Sequence, residues 1–109
     1  MMIVKAVCTP NAGRAEEARA AVRELTERAR THRGVLAYFW SEDPHTGELI
    51  DYEVHEDEAA LVRHIAESDL TRIHACMAIS AVEVYGDHPS PALHESLSSF
   101  GSYKHFPGV

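Results

Sequence analysis

Hydrophobic positions recur with two different periods along this chain, and the switches between them predict its elements. Met2 to Cys8 is apolar and β-rich, and the Thr9-Pro10-Asn11-Ala12-Gly13 run after it is turn chemistry. From Arg14 to Thr31 the spacing becomes helical. Ala18, Val22, Leu25 and Ala29 fall on one face, with Glu and Arg on the other. Glu24 and Arg28 add i,i+4 support, and Gly34 is a natural stop. Val35 to Ser41 is a second strand, dense in aromatics (Tyr38, Phe39, Trp40), and Asp43-Pro44-His45-Thr46-Gly47 is a hairpin loop. Leu49 to His55 alternates cleanly: Ile50, Tyr52 and Val54 point one way, Asp51, Glu53 and His55 the other. Glu56 to Glu67 is a short helix, Asp69 to Met77 a second helical stretch, and Ile79 to Tyr85 a fourth strand. Gly86-Asp87-His88-Pro89-Ser90-Pro91 ends that strand. Ala92 to Val109 starts as a helical turn carrying Leu93, Leu97 and Phe100, then becomes irregular.

The order β-α-β-β-α-β predicts an α+β, ferredoxin-like fold: a four-stranded antiparallel sheet with two helices on one face. Residues 1–86 form this domain and 87–109 a C-terminal tail extension of it. Strands one and two are apolar on both faces, with Ile3 and Val7 against Val4 and Ala6, and Val35 and Phe39 against Leu36 and Tyr38. Two helices cover only one face, and a bare apolar sheet face is rare in a soluble monomer. A two-fold homodimer packed sheet to sheet is the expected cover.

Composition narrows the partners. The 109 residues suit one domain with a modest core. A formal net charge of −7 argues against nucleic acid and against an anionic membrane surface. No apolar run approaches the roughly 20 residues of a membrane span, and the N-terminus enters a strand without a signal-like segment. Cys8 and Cys76 are too few for a disulfide scaffold, so a reduced, cytoplasmic protein is expected.

The candidate chemistry lies in two histidines. Leu61, His64 and Ile65 stand at i, i+3 and i+4, which puts His64 on the apolar stripe of its helix. Leu70, Ile73, His74 and Met77 share a face in the same way, so both histidines are expected between helices and sheet. Histidine is the acid/base group suited to neutral pH; the competing reading of each is a hydrogen-bonded core histidine. Tyr38, Trp40 and Tyr52 are either packing residues or the apolar wall of a planar aromatic ligand. Glu53 and His55 form a surface or interface hydrogen-bonding pair, with catalysis as the alternative. No two of the histidines have metal-ligand spacing on one element, so no metal is expected. There is no GxSxG motif, no basic partner beside Cys8 in sequence and no glycine-rich phosphate loop.

The order of elements and the Tyr52–His64 segment together resemble the antibiotic biosynthesis monooxygenase family of dimeric α/β-barrel domains. The matching features are Gly13, Gly34, Tyr38, Tyr52-Glu53, the acidic turn Glu56-Asp57-Glu58-Ala59, Leu61, and His64 before Ser68-Asp69-Leu70. His55 departs from the aromatic that the family often carries there. The resemblance implies a pocket between sheet and helices. It also implies oxidation of a phenolic or quinol-like aromatic by molecular oxygen without metal or flavin. His64 would then be the acid/base group, His74 an accessory, and Tyr38, Trp40 and Tyr52 walls or donors. A heme-degrading branch needs Asn, Trp and His where this chain has Ala6, His64 and His74, and only the last matches. An isomerase or cyclase in the same pocket, and a non-catalytic dimeric binding protein, remain as alternatives.

Overall fold

β3 (Leu49–His55) begins and ends where its alternation does, and it pairs with β1 (Met2–Pro10) and β2 (Val35–Glu42), antiparallel to each. The computed structural model describes all 109 residues. Its remaining elements are α1 (Ala15–Ala29), α2 (Glu58–Glu67), α3 (Thr71–Cys76), β4 (Met77–Gly86), α4 (Pro91–Ser98) and β5 (Ser102–Pro107). The sheet order is β2-β3-β1-β4-β5, with β4 antiparallel to β1. The first four strands with their helices are therefore the ferredoxin-like α+β arrangement. No helix is long and apolar enough to cross a membrane.

Three boundaries differ from the sequence pattern for local reasons. α2 starts after Asp57, whose side chain caps it by accepting the Ala60 N–H at 2.9 Å. α3 stops at Cys76 because Met77 is already extended and pairs with Pro10. The expectation of an irregular end to the tail is wrong. Ser90 caps α4 by accepting the Leu93 N–H at 3.2 Å, and Pro91 follows in the first turn. The helix buries Leu93 and Leu97, and it is the crossover that lets β5 lie parallel to β4. Gly101 makes the return possible, since a Cβ there would stand 2.8 Å from the Ile79 carbonyl oxygen.

Two apolar clusters fill the space between helices and sheet. One gathers Leu25 and Val22 of α1, Ile73 of α3, and Cys8, Tyr38 and Leu49 of the sheet. The other gathers Leu61 of α2, Leu93 and Leu97 of α4, and Met2, Val4 and Val84.

β3 lies across this layer in an unusual sense. Asp51, Glu53 and His55 are buried beneath the helices, while Ile50, Tyr52 and Val54 line the opposite, half-buried face of the sheet. The expected surface pair of Glu53 and His55 is thus an interior one. On the outer face Phe39 stacks on Tyr52 at 4.9 Å and Tyr85 on Phe106 at 5.0 Å.

Candidate active site

Polar side chains meet where the two clusters approach one another. The buried face of α2 carries Ala60, Leu61 and His64, and this places the His64 imidazole over β3. His64 Nε2 lies 3.2 Å from Glu53 Oε1, and His55 Nε2 lies 2.7 Å from the same oxygen. On its other side His64 Nδ1 is 2.8 Å from His32 Nδ1 and 3.4 Å from Ser68 Oγ.

His32 sits in the connection between α1 and β2, and Gly34 draws that connection onto α2. Gly34 has φ of +85°, and a Cβ there would fall 2.5 Å from the Ala60 Cβ.

The electrostatics divide the roles. Burial pushes the Asp51 carboxyl well above the usual carboxylate range, and the neighbouring Glu53 charge adds to the effect, so Asp51 holds its proton. Burial pushes Glu53 the same way. Hydrogen bonds from Asp51 and His55, with the attraction of His64 and His55, outweigh it and leave Glu53 lowered and ionised. Burial lowers His64 despite the opposing pull of Glu53, so its ring is neutral.

Glu53 is then an acceptor only, which assigns the Nε2 protons of His55 and His64 to it. His64 Nδ1 is left as an acceptor for the His32 Nδ1–H. Asp51 Oδ1 is buried and has no hydrogen-bond partner. Few native groups are left this way without a ligand, a water or a functional reason.

Asp51, Glu53 and His64 face a cavity of ≈ 80 Å³ that is open at its mouth. Of its 18 lining residues 14 are hydrophobic, and the polar four are Asp51, Glu53, His64 and Ser68. An apolar hollow with a few convergent polar groups is the usual form of a small-molecule site. Tyr38 and Trp40 line it, and the Trp40 indole N–H donates to the Tyr38 hydroxyl at 3.1 Å, which fixes both rings. Burial, with the ionised Glu53 adding to it, raises the Tyr38 phenol, so it stays protonated. Cys8 also reaches the cavity, but burial pushes its thiol up to about 12, which removes it as a nucleophile.

The structure brings His64, Tyr38 and Trp40 together and separates the other two candidates. His74 is exposed and stacks on Phe100 at 6.1 Å, outside the lining; its neighbours Ile73 and Cys76 take the inward face of the short α3. Tyr52 is on the far face of the sheet, because it alternates with the inward Asp51 and Glu53. His74 is the one position that matches the heme-degrading pattern, and it lies outside the cavity lining. No group of three or more His, Cys, Asp or Glu side chains is arranged to hold a metal ion.

Asp51 and His32 are outside the expected site residues, and Glu53 was expected as a surface or interface partner of His55, with catalysis as the alternative. For the two acids a signal existed, since they form the polar face of the strand over which a buried histidine must find a partner. His32 lies in a connection, where periodicity carries no information.

No curated protein sequence matches the chain. MupZ from Pseudomonas fluorescens is similar in structure, with a TM-score of 0.81 at 19% identity, over 99% of this chain and 89% of that one. That coverage takes in α4 and β5. A solved structure described as an antibiotic biosynthesis monooxygenase matches at TM-score 0.71 and 27% identity, over 82% of this chain and 100% of the other. One described as a putative antibiotic biosynthesis monooxygenase from Deinococcus radiodurans matches at TM-score 0.70 and 22% identity, over 83% and 95%. The family model for antibiotic biosynthesis monooxygenase matches residues 1–75, from β1 through most of α3. On that match the chain belongs to the antibiotic biosynthesis monooxygenase family.

Proposed function

We propose that the cavity oxidises a phenolic or quinol-type aromatic with molecular oxygen and no cofactor. The observation that carries this reading is the buried Glu53, with one oxygen 2.7 Å and 3.2 Å from two imidazoles, in an apolar cavity beside Asp51, whose Oδ1 has no partner. Glu53 takes the phenolic proton. The electron-rich anion then reduces oxygen at an activated ring methylene. One oxygen atom replaces the two hydrogens of that methylene as a carbonyl, and the other leaves as water. Neutral Asp51 gives a proton to the oxygen that becomes negative, and the dry cavity strengthens that hydrogen bond. Tyr38 and Trp40 are the wall against which the ring system lies. Both His64 nitrogens are taken by protein groups, so His64 acts as the acid/base group through Glu53. Replacing His64 by Ala, or Glu53 by Gln, should lower anthrone oxidation in air by about 10²-fold or more. Unchanged oxygen-dependent turnover in His64→Ala would remove its assigned role.

The same pair supports a second reading. A neutral acid and an ionised base in one cavity suit an isomerase or cyclase that moves a proton without oxygen. Turnover that persists anaerobically selects this reading, and strict oxygen dependence excludes it.

We also propose that the outer face of the sheet packs against a second copy. Leu36 and Phe39 of β2 are 61% and 51% exposed there, beside the stacked aromatics of β3, β4 and β5.

A further inference from the structure

Beyond Glu53 and His64, the row of titratable groups continues to the surface. His64 Nδ1 lies 2.8 Å from His32 Nδ1, and His32 Nε2 lies 3.8 Å from Glu67 Oε2. The side chain of Glu67 is 54% exposed, while those of His32 and His64 are 9% and 5% exposed. A chain of ionisable groups therefore runs from Asp51, whose Oδ1 is unpartnered in the cavity, to water at the end of α2. A buried core histidine needs one partner on each nitrogen. It does not need those partners to be a carboxylate on one side and a second imidazole, itself facing a surface carboxylate, on the other.

The tautomers give the row a direction. Glu53 accepts from His64 Nε2–H, so His64 Nδ1 accepts from His32 Nδ1–H, and His32 Nε2 is left as a lone pair toward Glu67. Both imidazole donors in the row point inward.

We infer that Glu67, His32, His64 and Glu53 form a proton inlet that recharges the cavity acid Asp51 from solvent while the cavity is occupied. The inference rests on the acid role proposed for Asp51. In the proposed turnover Glu53 takes one proton and Asp51 gives one, so the pair returns to a single shared proton; a proton given to a bound ligand before Glu53 takes one leaves two buried carboxylates facing one another with both charges unrelieved. A proton from water enters at Glu67 and binds His32 Nε2. The His32 Nδ1 proton then moves to His64 Nδ1, and the His64 Nε2 proton moves to Glu53, which shares it with Asp51. One proton enters for each one delivered, and no group carries a net change. A later base step, in which the carboxyl pair takes a proton from substrate, sends one outward along the same row and restores the tautomers.

The other groups acting on this path are few. His55 holds Glu53 from the neighbouring strand position, Ser68 Oγ stands 3.4 Å from His64 Nδ1, and Tyr38 packs beside the ring at 5.3 Å. The Arg63 guanidinium on α2 turns away to the Arg33 carbonyl. Glu67 is the charged group facing His32.

His32 and Glu67 are positioning residues that touch no substrate, so the test needs a readout that packing alone does not move. His32→Asn keeps a polar atom against His64 Nδ1 but cannot hand a proton from one ring nitrogen to another. In the substrate-free protein, solvent exchange of the His64 Nε2–H, followed by ¹⁵N NMR, should slow by about tenfold or more in His32→Asn. Added imidazole should restore the exchange in His32→Ala, where it has room to bind, and not in His32→Asn. Wild-type exchange rates in His32→Asn, or exchange in His32→Ala that ignores imidazole, overturn the inlet. If the wild-type protein does not oxidise anthrone, the proposed function fails while the exchange measurement still decides the inlet.

Discussion

Asp51→Asn tests the electrostatic core of the site without an assay of activity. Asparagine keeps the size of the side chain and a donor toward Glu53, but it cannot ionise. Asp51 is raised well above the ordinary carboxylate range by burial and by Glu53, so the folded state keeps a proton that the unfolded chain releases near pH 4. The sign follows from linkage. Between the unfolded and folded values the native state binds more protons, so the stability contributed by this group falls as pH rises. Below the unfolded value it contributes no slope.

The slope is about 1.4 kcal/mol per pH unit for one retained proton. A chain of 109 residues has an unfolding entropy of about 0.23 kcal/mol/K, so each pH unit moves the Tm difference by about 6 °C. His64, lowered by burial, contributes the opposite slope, gained as pH rises toward its unfolded value. That contribution is common to both proteins and cancels in the difference. The assay is urea and thermal unfolding from pH 4 to 7, read by the fluorescence of Trp40, the only tryptophan, which sits in the cavity wall. Asp51→Asn should gain on wild type steadily from about pH 4.5 until the folded value is passed. A stability difference that stays flat across this range would falsify the neutral Asp51 and, with it, the acid role.

Three further outcomes follow from other parts of the fold. Gly34→Ala places a Cβ 2.5 Å from the Ala60 Cβ at a φ of +85°, so it should cost about 2 kcal/mol or more in urea melts. Wild-type stability would mean that the turn does not hold the His32 connection against α2. Cys8 and Cys76 are 1% and 0% exposed, and burial raises both thiols, Cys8 to about 12; the native protein should resist a disulfide reagent at pH 8, whereas the urea-unfolded chain titrates both. Phe39→Asp sets a charge among the outer aromatics and should shift sedimentation at micromolar concentration from dimer to monomer. A wild-type protein that already sediments as a monomer excludes the sheet-to-sheet partner.

What the sequence made legible follows from where one residue's environment is set by its neighbours in the chain. The alternation of β3 and the i, i+3, i+4 spacing of Leu61, His64 and Ile65 are local, and both patterns agree with the structure, although the face of β3 expected at the surface or an interface is the interior one. His74 shows the limit of the same reasoning. α3 has only six residues, too short for a stripe to define a face, and the sharp exit at Met77 leaves His74 outside. β5 escaped because its contrast is weak: Tyr103 and His105 point inward, Lys104 and Phe106 outward, and each pair mixes polar with aromatic. Its existence depends on the α4 crossover and on the close approach at Gly101, which are tertiary facts.

The inversion of β3 carries the widest consequence. Side chains of a strand alternate strictly, so turning Asp51, Glu53 and His55 inward forces Ile50, Tyr52 and Val54 outward. A one-residue slip against β1 would reverse this and bury the apolar set. The observed register, with Val4 opposite Glu53 and Ala6 opposite Asp51, gives up that gain. The polar row offsets part of the loss, because Glu53 is held by two imidazole donors and Asp51 stays neutral. It cannot offset the water left on Ile50, Tyr52 and Val54, and only a cover on the outer face does that. The cavity and the proposed dimer are therefore two consequences of one register. Acid/base groups in the interior and an apolar exterior arise together, and a variant that abolishes the dimer should weaken β3 and the geometry of Glu53 with it.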